Sequence, residues 1–140
     1  MILNKTPQDR IVFVYTTCAD TAEAKHLGYA AVEEKLAVCA DFWPIESIYP
    51  WQGVLQDVTQ YMIMFTTKKG LSEKLSNFIV GLHSYTVPMM SECDTAFTNS
   101  SYAVWADKML HSDIEYISEE EAHRKAESDA EDGYHPGKLK

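Results

Sequence analysis

The chain has no stretch approaching the roughly 18 consecutive apolar residues that a membrane-spanning helix needs. Met1 to Arg10 is short and polar and has no apolar signal-peptide segment. A membrane role is set aside, and the cytoplasm is the expected compartment. Cysteine is sparse: Cys18, Cys39 and Cys93 are odd in number, widely spaced and form no Cys-x-x-Cys pair, so reduced thiols are expected rather than a disulfide framework. Positive charge is also scarce. Twelve Lys and Arg face 21 Asp and Glu, a net charge of −9, and no basic stripe alternates with aromatics. That balance argues against nucleic acid as a partner. A glycine-rich phosphate loop, a His-Glu-x-x-His pair and a nucleophile elbow are all missing. A nucleophile built from Cys39 and His83 has no third group to orient it. The chain is therefore read as a non-enzyme, with a thiol-dependent enzyme as a minor alternative.

What is present suits one globular domain of 140 residues, with 8 Tyr, 5 Phe and 3 Trp for a core or an interface. Ile11 to Tyr15 is a continuous apolar, β-favouring run, the pattern of a strand covered on both faces. Asp20 is placed to cap a helix, and Glu23 three residues later completes a capping-box pair. Ala24, Leu27, Ala30 and Ala31 recur at helical spacing up to about Leu36. Val38 to Tyr49 and Val54 to Thr66 read as two long strands. Pro50-Trp51-Gln52-Gly53 supplies the turn of a hairpin between them. Pro50 has no N–H and must sit at an edge, a bulge or the turn. Leu71, Leu75, Phe78, Ile79 and Leu82 mark a second amphipathic helix. Val87 to about Cys93 is read as a last strand, and Tyr102, Trp105, Ala106 and Met109 as a third helix capped by Asn99 or Ser100.

Both helix stripes must be buried, and crossovers are right-handed. The order strand-helix-strand-strand-helix-strand then predicts an α+β fold, a ferredoxin-like βαββαβ sandwich with an antiparallel sheet and its helices on one face. Because the central strands are apolar on both sides, the other face wants a partner. Residues 1–110 are read as this domain, and 111–140 as an acidic C-terminal extension, partly helical or disordered. That extension holds nine acids and four bases. Ser118 to Glu121 offers a capping box within it, and Gly133 to Gly137 is punctuated rather than helical.

Five short segments in order carry a family likeness: Thr16-Thr17 followed by Asp20, Glu34 to Ala40, Ser47-Ile48-Tyr49-Pro50-Trp51-Gln52-Gly53, His83 to Pro88, and Tyr102-Ala103-Val104-Trp105. Together they resemble the CutA family of small trimeric proteins, named for divalent-cation tolerance. The resemblance implies a homotrimer of the PII-like kind, with long hairpins reaching neighbouring subunits and Tyr49, Trp51, Gly53 and Tyr61 at the trimer interface. It also implies an intersubunit ligand-binding cleft lined by Cys39, Trp51, His83, Tyr85 and Trp105. Copper or another divalent metal is the implied ligand, with Cys39 and His83 as its donors. The chain departs from the family pattern at Val54 and Thr66, where lysine is usual, and at Gln60, where an acid is usual. It departs again at Ser84, Met89 and Thr98.

Each candidate also has a plain structural reading. Cys39 as a thiolate suits a soft metal; as a thiol it is a small buried hydrophobe. His83 is a ligand or a helix-terminal histidine favoured by the dipole. Cys18, at a turn, is either a reactive thiol or without a role, and Cys93 is read as structural. Met89 and Met90 are adjacent in an extended segment and face opposite ways. Tyr49, Trp51 and Trp105 serve a pocket or an interface. His123, His135 and the tail acids are read as a solvated charge run. The expectation is a trimeric protein that binds a small ligand or responds to a divalent metal. The rival is a scaffold or partner-docking trimer that binds no metal.

Overall fold

The alternation of one strand sets the layering of the molecule. In the computed structural model, which describes residues 7–128, β1 (Ile11–Cys18) turns Val12, Val14, Thr16 and Cys18 to one face, where all are fully buried. Phe13, Tyr15 and Thr17 point to the other face and stay half-exposed. The apolar run is thus covered on one side within the subunit, not on both. β3 (Val54–Lys68) runs antiparallel beside β1, with Ile63 opposite Thr16 and Phe65 opposite Val14. β2 (Cys39–Trp51) pairs with β3, and β4 (Ser91–Asp94) with β1, which gives the sheet order β2-β3-β1-β4. α1 (Thr21–Glu33) and α2 (Lys69–Leu82) cover the buried face, contributing Ala24, Leu27 and Ala31 from the first and Leu75 and Ile79 from the second. This is the expected ferredoxin-like βαββαβ sandwich.

Local chemistry explains where α1 begins and ends. Asp20 Oδ1 accepts the Glu23 N–H at 2.8 Å, and Glu23 Oε1 reaches back to the Ala19 N–H at 3.0 Å. Two otherwise unpaired donors are satisfied in this way, with the return bond one residue earlier than in a standard capping box. At the other end Lys35 adopts a left-handed φ of 59°. The Leu36 N–H then bonds the Ala31 carbonyl and the Lys35 N–H the Val32 carbonyl, each at 3.0 Å, which is a Schellman closure with lysine where glycine is usual. At Gly28 a side chain would meet the Ala40 Cβ at 3.2 Å, so glycine lets α1 close down on β2.

The hairpin turn is shorter than the four residues expected. Pro50 pairs with Leu55 and Trp51 with Val54, leaving only Gln52 and Gly53 in the turn. Their φ values of 50° and 79° are consecutive and positive, as a two-residue turn of type I′ requires. Pro44 and Pro50 are accommodated because β2 lies at the sheet edge. The last strand also differs from expectation: β4 starts at Ser91, not Val87, and residues 84–90 form a loop. β4 buries no residue. Its ladder to β1 is flanked by ion pairs from Lys69 to Glu92 and from Arg10 to Asp94, the latter at 2.7 Å.

α3 (Ser100–Leu110) crosses one end of the second sheet face. Lys68 holds Asp107 at 3.2 Å, and the Tyr102 hydroxyl lies near that of Thr66. Asn99 occupies the cap position but makes no capping bond. Its amide donates to Ser101 Oγ instead. Beyond α3 the chain returns to the end of α1, where the Lys35 ammonium donates to the Ile114 carbonyl at 2.5 Å and sits 3.4 Å above the Tyr116 ring centroid. α4 (Glu119–Ser128) opens on Ser118, whose hydroxyl accepts the Glu121 N–H at 3.2 Å, and buries only Ala122. His135 and the Gly133 to Gly137 stretch lie outside the described residues.

Phe65 is the largest fully buried side chain. Phe65→Ala is expected to lower unfolding stability in urea by about 3–5 kcal/mol. Val80→Ala on the exposed side of α2, where the valine is 47% accessible, should stay within roughly 0.5 kcal/mol of the parent.

Candidate functional site

The outer half of the long hairpin and the 84–90 loop enclose a cleft of about 760 Å³. The hairpin contributes Tyr49 and Trp51 among others, and the loop contributes Tyr85, Val87 and Met89. Thr17 and Gln60 line it from β1 and β3. Ser84 stands at its edge. A volume of this size is in the range of small-molecule sites, roughly 300–1,000 Å³.

The loop wall is held by a polar cluster behind it. The Glu23 carboxylate accepts the Ser84 N–H and the Ser84 hydroxyl, each at 2.8 Å, besides the Ala19 N–H. Burial pushes the Glu23 carboxyl up, but these bonds and the nearby His83 outweigh it, and the group ends below its ordinary value. The Ser84 N–H bond is one that proline at this position could not make.

His83 follows α2 and its side chain is fully buried. Its Nδ1 accepts the Tyr85 N–H at 3.1 Å. Its Nε2 faces the Thr17 carbonyl at 2.8 Å and the Thr16 hydroxyl at 3.2 Å. An acceptor on one side and a carbonyl on the other assign the ring proton to Nε2. Tyr85 packs on this imidazole with centroids 4.9 Å apart, and its hydroxyl donates to Gln60 Oε1 at 2.9 Å. Burial, followed by the charges of its neighbours Tyr49, Cys18, Glu23 and Asp20, pushes the Tyr85 phenol up to about 12, so it remains a neutral donor.

Of the five cleft residues expected from sequence, Trp51 and Tyr85 line this cleft, and His83 stands behind it as a support. Cys39 and Trp105 are elsewhere. Cys39 pairs with Thr66 of β3, whereas the Thr17 that His83 grips pairs with Met62. Four residues of strand separate these positions, roughly 13 Å. The Cys39 thiol donates to Asp41 Oδ2 at 3.6 Å and lies near Tyr102, whose ring is tilted against Trp105 at 5.5 Å. Burial first and Asp41 second push the Cys39 thiol up to about 11, so it is held protonated rather than as the thiolate a soft metal prefers.

A metal held by Cys39 and His83 together does not fit this subunit. The two are separated along the sheet, both imidazole nitrogens are already bonded, and the described residues contain no group of three His, Cys, Asp or Glu side chains able to hold an ion. Cys18, expected at a turn, is buried at the end of β1, and burial, with Glu23 next, raises its thiol to about 11. Cys93 is exposed on β4. Met90 packs on the core while Met89 faces the cleft, the opposed orientation expected of neighbours. Tyr61 shares a face with Ile63 and Phe65, and packs on the core edge-on to Phe42 at 6.4 Å. Gly53 is exposed at the hairpin tip.

The sequence reading missed three contributors. Glu46 lines the cleft, but nothing in its spacing marks it. Glu23 was read as a cap and also anchors the loop. Gln60 was visible only as a departure from a family pattern. It is 7% accessible, and its partner is the Tyr85 hydroxyl.

Known proteins resemble this chain in sequence and fold. The family model for the CutA1 divalent ion tolerance protein matches residues 12–109. The divalent-cation tolerance protein CutA of Thermococcus kodakarensis is 30% identical over 99 residues, which cover 71% of this chain and 95% of that protein. Protein CutA of Mus musculus is 29% identical over 70% of this chain, which spans just over half (56%) of the mouse protein. The crystal structure of the divalent ion tolerance protein CutA1 from Ehrlichia chaffeensis superposes with a TM-score of 0.71 at 25% identity, covering 74% of this chain and 97% of that one. With the family model spanning most of the described residues, the chain belongs to the CutA1 divalent ion tolerance protein family.

Proposed function

We propose that this protein is a homotrimeric binding protein whose cleft between hairpin and 84–90 loop takes a small molecule. The observation that carries the reading is the cleft itself, walled by Tyr49, Trp51 and Tyr85 and braced from behind by Glu23 and His83. Aromatic walls with a few fixed polar groups are the general make-up of a small-ligand site.

The trimer is supported by what one subunit leaves uncovered. Phe13, Tyr15, Met62 and Met64 lie half-exposed on the second sheet face beside Trp43, which is 40% accessible. Farther out, the hairpin exposes Ile48, Val54 and Leu55 at 58% or more. Exposed apolar residues on this scale mark an association site, and closed symmetry is the usual solution. The relatives are named for tolerance of divalent ions. Within one subunit Cys39 and His83 lie too far apart to share a metal, and the aromatic walls of the cleft support an organic ligand. The same thiol chemistry argues against a thiol-dependent enzyme, because Cys39 is neither ionised nor paired with an imidazole.

Light scattering of the parent is expected to give three times the 15.9 kDa chain mass. Met62→Asp, which places a charge on the open face, should reduce it to one chain mass with the helical circular dichroism retained; a monomeric parent would sink the trimer. A second measurement follows the thiol. Alkylation of Cys39 by iodoacetamide, mapped by mass spectrometry, should be slow at neutral pH and rise only toward pH about 11, where the thiolate forms. Asp41→Asn removes the second cause of that shift and should move the rise to lower pH.

A further inference from the structure

The helix layer carries a second recess, on the side away from the sheet. In α1 the buried residues are Ala24, Leu27, Gly28 and Ala31. His26, Tyr29, Ala30 and Glu33, spaced three, one and three apart, form the stripe beside them. Together with Glu34 and with Phe78 of α2 they line a groove of about 410 Å³. The Tyr29 ring stands open, 63% accessible. No Lys or Arg lines the groove, and among the described residues no ion pair engages Glu33 or Glu34. Both acids sit at the C-terminal end of α1, where the helix dipole itself favours a cation. The next residue cannot serve them, because the Lys35 ammonium is committed to the Ile114 carbonyl and the Tyr116 ring. This groove is on the opposite side of the subunit from the second sheet face used for the trimer.

We infer that residues 133–140 of the same chain dock in this groove. The extension distributes its charge unevenly. All nine of its acids lie from Asp113 to Asp132, against Arg124 and Lys125. Residues 133–140, which lie outside the described residues, hold Lys138, Lys140, Tyr134 and Leu139 and no acid. A lysine can lay its hydrocarbon stem on the Tyr29 and Phe78 rings while its ammonium reaches Glu33 or Glu34. Tyr134 and Leu139 add apolar groups for the same floor. The acidic part of the extension is repelled from that place by the two carboxylates. The reach suffices. Lys35 fixes Tyr116 beside the acidic end of the groove. The short link and the ten residues of α4 carry the chain no more than about 25 Å from there. Residues 129–138 can span up to about 33 Å, so Lys138 can return to Glu33 whichever way α4 points.

Carbodiimide coupling of the full-length protein, with mass spectrometry of the digest, reads which carboxylates meet the two ammonium groups. Products joining Lys138 or Lys140 to Glu33 or Glu34 are expected to be at least as abundant as those joining them to Asp129, Glu131 or Asp132, their neighbours in sequence. Tyr29→Ala removes an exposed ring and leaves both carboxylates in place. It should lower the α1 products about threefold. If the two lysines couple only to Asp129, Glu131 and Asp132, the docking inference falls. If the α1 products form but do not respond to Tyr29→Ala, the contact is a collision between charges and the groove is not the seat. NMR gives a second reading. Lys138→Glu combined with Lys140→Glu should shift the amide signals of residues 26–34 and of Phe78 and leave those of residues 51–54 in place; an α1 spectrum that does not change would overturn the proposal.

Discussion

One carboxylate joins three parts of this molecule. Glu23 begins α1 by accepting the Ala19 N–H, and it fixes the 84–90 loop by accepting two bonds from Ser84. Beside it His83 ties the same loop to the end of β1 through the Thr17 carbonyl. The strand end, the helix start and the cleft wall are therefore one hydrogen-bonded unit. In a partly buried setting such charge-assisted bonds are worth more than their neutral counterparts. Because the carboxyl lies below its ordinary value, its contribution is present above the unfolded-state value and is lost as pH falls through the folded one. Acid should therefore loosen both the cleft wall and the β4 edge, which is held through Glu92 and Asp94, while the apolar core of the sheet carries no carboxylate to protonate.

The sheet divides the labour. One face is consumed by α1 and α2, where Phe65, Ile63, Leu27 and Ile79 exclude water completely. The other is partly roofed by α3 and partly left open around Tyr15, Met62 and Met64, with the Tyr15 hydroxyl donating to the Met64 sulfur at 3.3 Å. The hairpin extends past both layers. Its tip cannot contribute to the subunit's own core, which makes its exposed apolar residues meaningful as association surface rather than as misplaced core.

Most of the fold was legible because burial imposes period. The alternation along β1 and β3 and the helical spacing of Leu75 and Ile79 follow from geometry alone. The misses fell where period is absent. β4 is exposed throughout and is held by ladder bonds and ion pairs from Lys69 and Arg10, none of which leaves a mark on the hydrophobic pattern. The stretch from Ser84 to Met90 looked strand-like because Val87 and Met89 are apolar, yet they serve the cleft. Trp51 and Tyr85 were found at the site through motif likeness. Glu46 was not, because a single acid on an edge strand resembles any solvent-facing residue. Cys39 and Trp105 were grouped with them by the same likeness in a cleft between subunits; within one subunit the register of β2 on β3 sets Cys39 opposite Thr66, toward the other end of the sheet.

Within one subunit His83 and Cys39 are both engaged in structural bonds. His83 cannot offer a nitrogen to an ion without releasing either the Tyr85 N–H or the Thr17 carbonyl, and either loss unpins the cleft wall. Cys39 would have to surrender a proton beside the Asp41 carboxylate. Serine at position 84 strengthens this commitment, since it gives Glu23 two donors where proline would give none. The recess that results is walled by aromatic rings, and its polar chemistry follows from which groups the surrounding bonds have already used.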